Sequence, residues 1–364
     1  MGNVYHVYTT VKKRFESVPV HLFLCLCLVC FHFTGCSPPD NQKQDQKVTP
    51  GKSISVARLP KALLVNSYHF SFPWTNGITR SIAASFKVAL TQEGVVADGH
   101  DRLVDLKIIY MDTKRNTDEN FIKSAALQAK EEIERWQPDV ILTSDDNAAK
   151  YLIVPYYNNS EIPVVFCGIN WSAAEYGFST SNVTGMLEVQ LVDQIVDIMR
   201  SYAKGERVAY IKGDDSSARK EAGFFEERLG IELDKQFVTS FSQWKEQYIA
   251  LQNEADMILV GNWAALEDWN EVEALQLIAE HTTVPSGNWD QWVAPYTLVT
   301  LATKPEEQGS WAAQTALRIL QGASPSAIGF SHNKLARVYL SRKLAGKLGI
   351  TFPMPLVNQA IFVE

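Results

Sequence analysis

Residues 162–171 read IPVVFCGINW. Pro163 to Cys167 is a short apolar run, of the kind a strand shows when a parallel sheet buries both its faces. The run ends on Gly168, and Asn170 and Trp171 follow within three residues. The same ending returns as Gly261-Asn262-Trp263 and again as Gly287-Asn288-Trp289-Asp290. Open α/β sheets bind ligands beyond the carboxyl ends of their strands. This stretch therefore poses the question of fold and the question of site together.

Its neighbours alternate between strand and helix signals. Ala62 to Asn66 is an apolar strand, and Ile78 to Leu90 has a helical pattern. Val104 to Tyr110 is the next strand. Ile122, Ala126, Ala129, Ile133 and Trp136 mark one face of a helix that Pro138 ends, with Asn116 and Glu119 as its expected cap. Val140 to Thr143 is a further short apolar run. The rhythm then repeats. Leu191, Ile195, Ile198 and Tyr202 lie on one helix face, and Val208–Ile211, Met257–Val260 and Leu298–Leu301 read as strands. Pro305, with Glu306 and Glu307 behind it, opens a helix that runs to Gly322. This alternation predicts an α/β fold with doubly wound sheets, made of two similar halves.

The residues just past each strand form the candidate site. The first half contributes Ser67, Tyr68, His69 and Trp74, then Ser144 and Asp145, then Asn170 and Trp171. The second half contributes Asp214, Asn262, Trp263, Asn288 and Asp290. Glycine lets backbone amides approach a ligand. Asparagine supplies a donor and an acceptor, and tryptophan an apolar wall with one N–H. Such a set suits a small-molecule pocket of apolar walls and a few convergent polar groups. Each residue also has a plainer role open to it. Asn-Trp after a strand serves equally as a turn plus a core ring. Asp145-Asp146 and Asp214-Asp215 are equally suited to capping the helices that follow, and His69 to a structural hydrogen bond.

The chain has 364 residues, enough for two domains, with 46% hydrophobic and 21% charged residues and a net charge of −7. That charge disfavours nucleic acid as a partner, which calls for a basic surface. Residues 1–36 combine Lys12, Lys13 and Arg14 with the apolar run Leu22–Phe33 and the ending Phe33-Thr34-Gly35-Cys36. This is the order of a secretory signal. Its last residue resembles a bacterial lipobox cysteine, which implies lipidation at Cys36, although Phe33 stands where an aliphatic residue is usual. An uncleaved membrane anchor is the alternative. Residues 37–58 are polar and read as a flexible tether. Past Cys36 the sequence holds a single cysteine, Cys167, in an apolar setting that suits a core thiol. The expected location is the periplasmic side of a bacterial cell envelope.

Several longer motifs point to a family. Asn66-Ser67-Tyr68-His69 with Pro73-Trp74-Thr75, Asp139 to Asp145 (DVILTSD), Ile162 to Gly168 (IPVVFCG) and Asn182-Val183-Thr184-Gly185 occur in that order. With Leu344 to Ile350 and Pro353, they resemble the ABC-transporter substrate-binding family that includes tryptophan- and tyrosine-type uptake proteins. The Ser-Tyr-His…Trp-Thr variant is similar to its extracytoplasmic sensor-domain subgroup. The resemblance covers roughly residues 60 to 355. It implies a type I periplasmic-binding-protein fold, with two doubly wound parallel-sheet lobes joined by a hinge and closing on a ligand. The expected division is 59–188 plus 296–364 for lobe 1 and 189–295 for lobe 2. Crossings are expected near Glu188, Tyr296 and Leu335–Leu340. After Gly168 the chain reads Ile-Asn-Trp where many amino-acid-binding relatives carry a shorter polar-proline segment, so their ligand does not simply carry over.

The resemblance implies capture of a small molecule and delivery to an ABC permease, and the aromatic and acidic strand-end residues suggest a ligand with an amine or a ring. The sensor subgroup implies instead docking on a membrane histidine kinase or diguanylate cyclase. No nucleophile elbow, metal-binding helix or metal-spaced Cys/His set stands out, so neither an enzyme nor a metal or cofactor site is expected.

Overall fold

The computed structural model describes residues 58–97 and 101–364. The signal segment, Cys36, the tether up to residue 57 and His100 lie outside the described residues. The apolar runs become strands β1 (Lys61–Asn66), β2 (Asp105–Tyr110), β3 (Val140–Ser144), β4 (Val164–Asn170) and β5 (Val183–Glu188). The second half supplies β6 (Val208–Gly213), β7 (Asp234–Val238), β8 (Met257–Val260), β9 (Ser286–Asn288) and β10 (Val299–Thr303). Three short late strands follow, β11 (Phe330–His332), β12 (Ala336–Ser341) and β13 (Ala360–Val363).

These strands pair into two sheets. One has the order β11-β5-β4-β3-β1-β2, the other β13-β12-β10-β9-β8-β6-β7. Read from β2 and from β7, the first five strands of each sheet follow the same order, so the two halves are built alike. All pairs among those ten strands are parallel, and β12 runs antiparallel to β10. In each sheet the order reverses beside the first strand, at β1/β3 and β6/β8. That is where a doubly wound sheet leaves a crevice at its carboxyl edge.

Both faces of the first sheet are covered. Leu63, Val65, Ile141 and Phe166 pack toward the helix Glu119–Trp136, which contributes Ile122, Ala126, Ala129 and Ile133. Leu64, Leu142 and Val165 pack on the other side, toward Ile78 and Ile82 of the helix Pro73–Ser85 and Ala312, Ala313 and Ala316 of the helix Pro305–Leu320. Those two helices lie close enough that a Cβ on Gly309 would sit 2.4 Å from the Ile78 carbonyl oxygen. Glycine is needed there for the approach. The second sheet has its own core around Tyr210, Phe225, Trp244 and Tyr248.

Three boundaries differ from the sequence reading. The helix expected at Ile78–Leu90 runs from Pro73 to Ser85, because Pro73 occupies the first turn, where its missing N–H costs nothing. Trp74 is therefore in the first turn of this helix. The following helix is capped by Asp118, which accepts from the Asn120 and Phe121 N–H groups, and not by Asn116. The division of the C-terminal third also differs. Residues 296–364 do not all return to the first lobe: β10 pairs with β9, β12 with β10 and β13 with β12, all in the second sheet. The stretch from the helix Pro305–Leu320 through the short helix Pro325–Ile328 to β11 joins the first lobe. The chain thus crosses between lobes after β5, between β10 and Pro305, and between β11 and β12.

The three crossings are tied together. The buried Asn333 side chain accepts from the Val189 N–H (2.8 Å) and donates to the Val189 carbonyl (3.0 Å), joining the third crossing to the first. Glu307 accepts from the Lys334 and Leu335 N–H groups at 2.9 and 2.8 Å, joining the second to the third. Gln308 accepts from the Gly168 N–H and donates to the Leu187 carbonyl, holding β4 and β5 to the same helix.

Candidate functional site

The carboxyl ends of both sheets face one cleft of about 560 Å³. Tyr68, Phe72 and Trp74 line it from β1 and the helix after it, Asp145 and Asn170 from the ends of β3 and β4, and Glu188 from the end of β5. Trp289, Asp290 and Trp292 line it from the second lobe, and Thr303, Glu306 and Arg337 from the crossings.

Asp145 is the most constrained of these residues. It is 4% exposed and has a left-handed backbone, φ +67°. A non-glycine residue there costs about 1–2 kcal/mol. Trp74 Nε1 donates to its Oδ1 at 2.9 Å and Ser144 Oγ to its Oδ2 at 3.0 Å. Gly168, φ +71°, makes room behind the pair: a Cβ there would stand 3.0 Å from Asp145 Oδ1 and 3.3 Å from Trp74 Nε1. Burial pushes the Asp145 carboxyl up to about 7, opposed by the Ser144 hydrogen bond and assisted by the Asp146 charge. Glu188 is pushed up to about 8, chiefly by burial and next by Asp145. Asp290 is raised by burial, against the hydrogen bond from Asn262 and the charge of Lys212. Trp289, next to Asp290, is 4% exposed and its ring lies parallel to Tyr210, 6.2 Å away.

Of the residues singled out from sequence, Tyr68, Trp74, Asp145, Asn170 and Asp290 come together in the cleft. Ser67 and Ser144 are fully buried behind it. Ser67 Oγ donates to the Ser144 carbonyl at 2.7 Å and accepts from the Ala148 N–H at 2.8 Å, so this pair fixes the two strand ends and does not line the cavity. His69 turns away to Asp112, with Nδ1 3.2 Å from Oδ1. Asp214 is engaged by Arg219 at 2.8 Å, and Asp215 caps the next helix through the Ala218 N–H. Asp145-Asp146 do not cap their helix. Asp146 instead accepts from Tyr176 Oη and Asn170 Nδ2.

The three Gly-Asn-Trp endings do three different jobs. At the first, Asn170 lines the cleft and Trp171 stands at its rim, with Nε1 donating to Gln190 at 2.6 Å. At the second, Asn262 braces Asp290 at 3.0 Å, while Trp263 is withdrawn into a ring cluster with Trp269, Trp292 and Tyr296. At the third, Asn288 is buried against the Val260 carbonyl and it is Trp289 that faces the cavity. Sequence reading missed Glu188, Trp289, Trp292, Lys114 and Arg337. A carboxylate closing the apolar stretch Val183–Leu187 was the available signal for Glu188.

Three of the solved structures that resemble the chain each align over 84% of its length. The ligand-free, open substrate-binding protein with adhesive properties from Clostridium difficile aligns at TM-score 0.62 and 13% identity, over 99% of its own chain. A conserved domain protein from Vibrio cholerae aligns at 0.53 and 17%, and the ABC domain in complex with L-Trp from Streptococcus pneumonia at 0.52 and 16%, each over 100% of its own chain. At these identities the likeness establishes the two-lobed fold. No curated protein matches the chain. The family described as ABC transporter substrate binding protein matches residues 86–363. With that match spanning most of the sequence, and with two like-ordered sheets around a shared cleft, the chain belongs to the ABC transporter substrate-binding protein family.

Proposed function

We propose that this protein is an extracytoplasmic lipoprotein, anchored through Cys36, that captures a small molecule between its lobes and delivers it to an ABC permease. The observation that carries the reading is the cleft itself. Rings and carboxylates from the strand ends of both lobes converge on one cavity, as expected where ligand contacts favour the closed arrangement. The residues proposed to contact ligand are Tyr68, Trp74, Asp145, Asn170, Glu188, Trp289 and Asp290. Trp171 acts at the rim. Ser67, Ser144, Asn262 and Asn288 brace the wall from behind.

A thermal-shift screen of amino acids, amines, nucleosides and short peptides tests capture, because a ligand bound only by the folded form raises the melting point. Crosslinking capture from bacterial membranes tests delivery. Recovery of a permease subunit supports it. Recovery of a histidine kinase or diguanylate cyclase, the partner implied by the sensor-like Ser67-Tyr68-His69…Trp74-Thr75 motif, replaces delivery with sensing and leaves capture intact.

A further inference from the structure

We propose that the cleft selects a net cation, an organic ammonium carried on a flat ring, over zwitterions and anions of the same shape. The inference rests on the reading of the cleft as a ligand site and names the charge class it takes.

Besides Glu306, which is paired with Arg337, three carboxylates reach the cavity from separate elements: Asp145 after β3, Glu188 at the end of β5 and Asp290 after β9. They are not neighbours on one loop, and they come from both lobes. Their hydrogen bonds come from neutral donors, Trp74 and Ser144 to Asp145, Thr303 to Glu188 and Asn262 to Asp290. None has an ion pair among the described residues. Asp145 is buried and Glu188 and Asp290 are half-buried; a carboxylate drawn out of water without an adjacent counter-charge is costly, so a cation that enters and supplies one binds with that cost relieved.

Neither of the cleft's two basic residues is ion-paired to these carboxylates, although the Lys114 charge is felt at Asp145. Arg337 is matched by Glu306 at 3.4 Å. Lys114 is exposed and sits over the rings of Tyr68 and Phe72, 5.0 and 5.1 Å from their centroids. In the second lobe, Lys212 is buried but already paired with Glu221 at 2.8 Å. A ligand carboxylate would therefore face three acidic groups without an ion pair, with the exposed Lys114 as the one unpaired cation in the lining among the described residues. The walls suit the rest of the ligand: Tyr68, Trp74, Trp289 and Trp292 present ring surface, which attracts an ammonium by its quadrupole and stacks on a flat apolar group.

The test holds shape fixed and varies charge. Phenethylamine, phenylalanine and 3-phenylpropionate are titrated calorimetrically into the full folded protein at pH 8. Phenethylamine is expected to bind at least tenfold more tightly than phenylalanine, and 3-phenylpropionate to give no heat of binding. Glu188→Gln should shrink the preference for the amine without removing binding. Equal or tighter binding of phenylalanine or 3-phenylpropionate overturns the charge class and leaves the cleft a ligand site. Silence from all three also overturns the ring-ammonium assignment. The reading of the cleft fails with it only if the broader solute screen is silent as well.

Discussion

The ring of Trp171, at the end of β4, lies 6.1 Å from the ring of Phe224 in the helix Ser216–Leu229, with the two planes 24° apart. One residue belongs to each lobe, so this stack spans the rim of the cleft. Trp171 also holds a left-handed backbone, φ +61°, and is anchored to Gln190 beside the first crossing. A second contact across the rim, Glu175 to Lys220 at 3.8 Å, is exposed and contributes little. The stack is the stronger latch. Phe224→Ala should shift the lobes toward the open arrangement by about 1 kcal/mol, roughly fivefold in the equilibrium. Small-angle scattering of the ligand-free variant should show a larger radius of gyration than wild type. An unchanged scattering profile would remove the latch from the account.

The joint between the lobes should be sensitive at Asn333. Its side chain satisfies both polar groups of Val189. Asn333→Ala leaves an N–H and a carbonyl without those bonds in a buried setting, which should destabilise the fold by about 2 kcal/mol or more. Asn333→Asp should be worse, since it loses the donor and buries a charge. Denaturant unfolding of both variants checks the order.

Gly168→Ala places a side chain where φ is +71° and where Asp145 and Trp74 already meet. We expect a loss of about 1–3 kcal/mol in stability from backbone strain and crowding. Ligand affinity should also fall, because the Trp74–Asp145 hydrogen bond is displaced. A variant that keeps wild-type affinity would show that this hydrogen bond does not set the wall.

Stability should depend on pH with a definite sign. Asp145 and Glu188 are raised by burial to about 7 and about 8, above their unfolded values of 3.8 and 4.5. Between those limits the folded protein holds more protons than the unfolded chain, so stability falls as pH rises from about 4 to about 8. The ligand-free melting point should be higher at pH 5.5 than at pH 8. Asp145→Asn and Glu188→Gln should each flatten that slope. Asp146 and Lys114 act on Asp145, and Asp146 and Asp290 on Glu188, so neither substitution alone should abolish it.

The two-lobed α/β fold was legible because its strands are continuous apolar runs and its helices keep their spacing. Asp145 was legible as a site residue for the same reason, since it lies two residues past the run Val140–Thr143. What was illegible depended on pairing or on facing. The return of β10, β12 and β13 to the second sheet is set by hydrogen bonds between distant strands, which periodicity does not encode. Asn288 and Trp289 show the second difficulty. Adjacent residues at a strand end face opposite ways, so choosing one residue instead of its neighbour exchanges a buried brace for a cleft wall. Trp171 and Trp263 sit in the same local motif, and only their surroundings send one to the rim and the other into a ring cluster.

The most direct measurement is the affinity of a compound identified in the screen for wild type, Asp145→Asn and Asp290→Asn. These carboxylates belong to different lobes and line the same cavity. If the ligand is held between the lobes, each substitution alone should weaken binding at least tenfold. Full affinity in either variant would mean that the ligand rests on one lobe only, and the shared cleft would not be the site of capture.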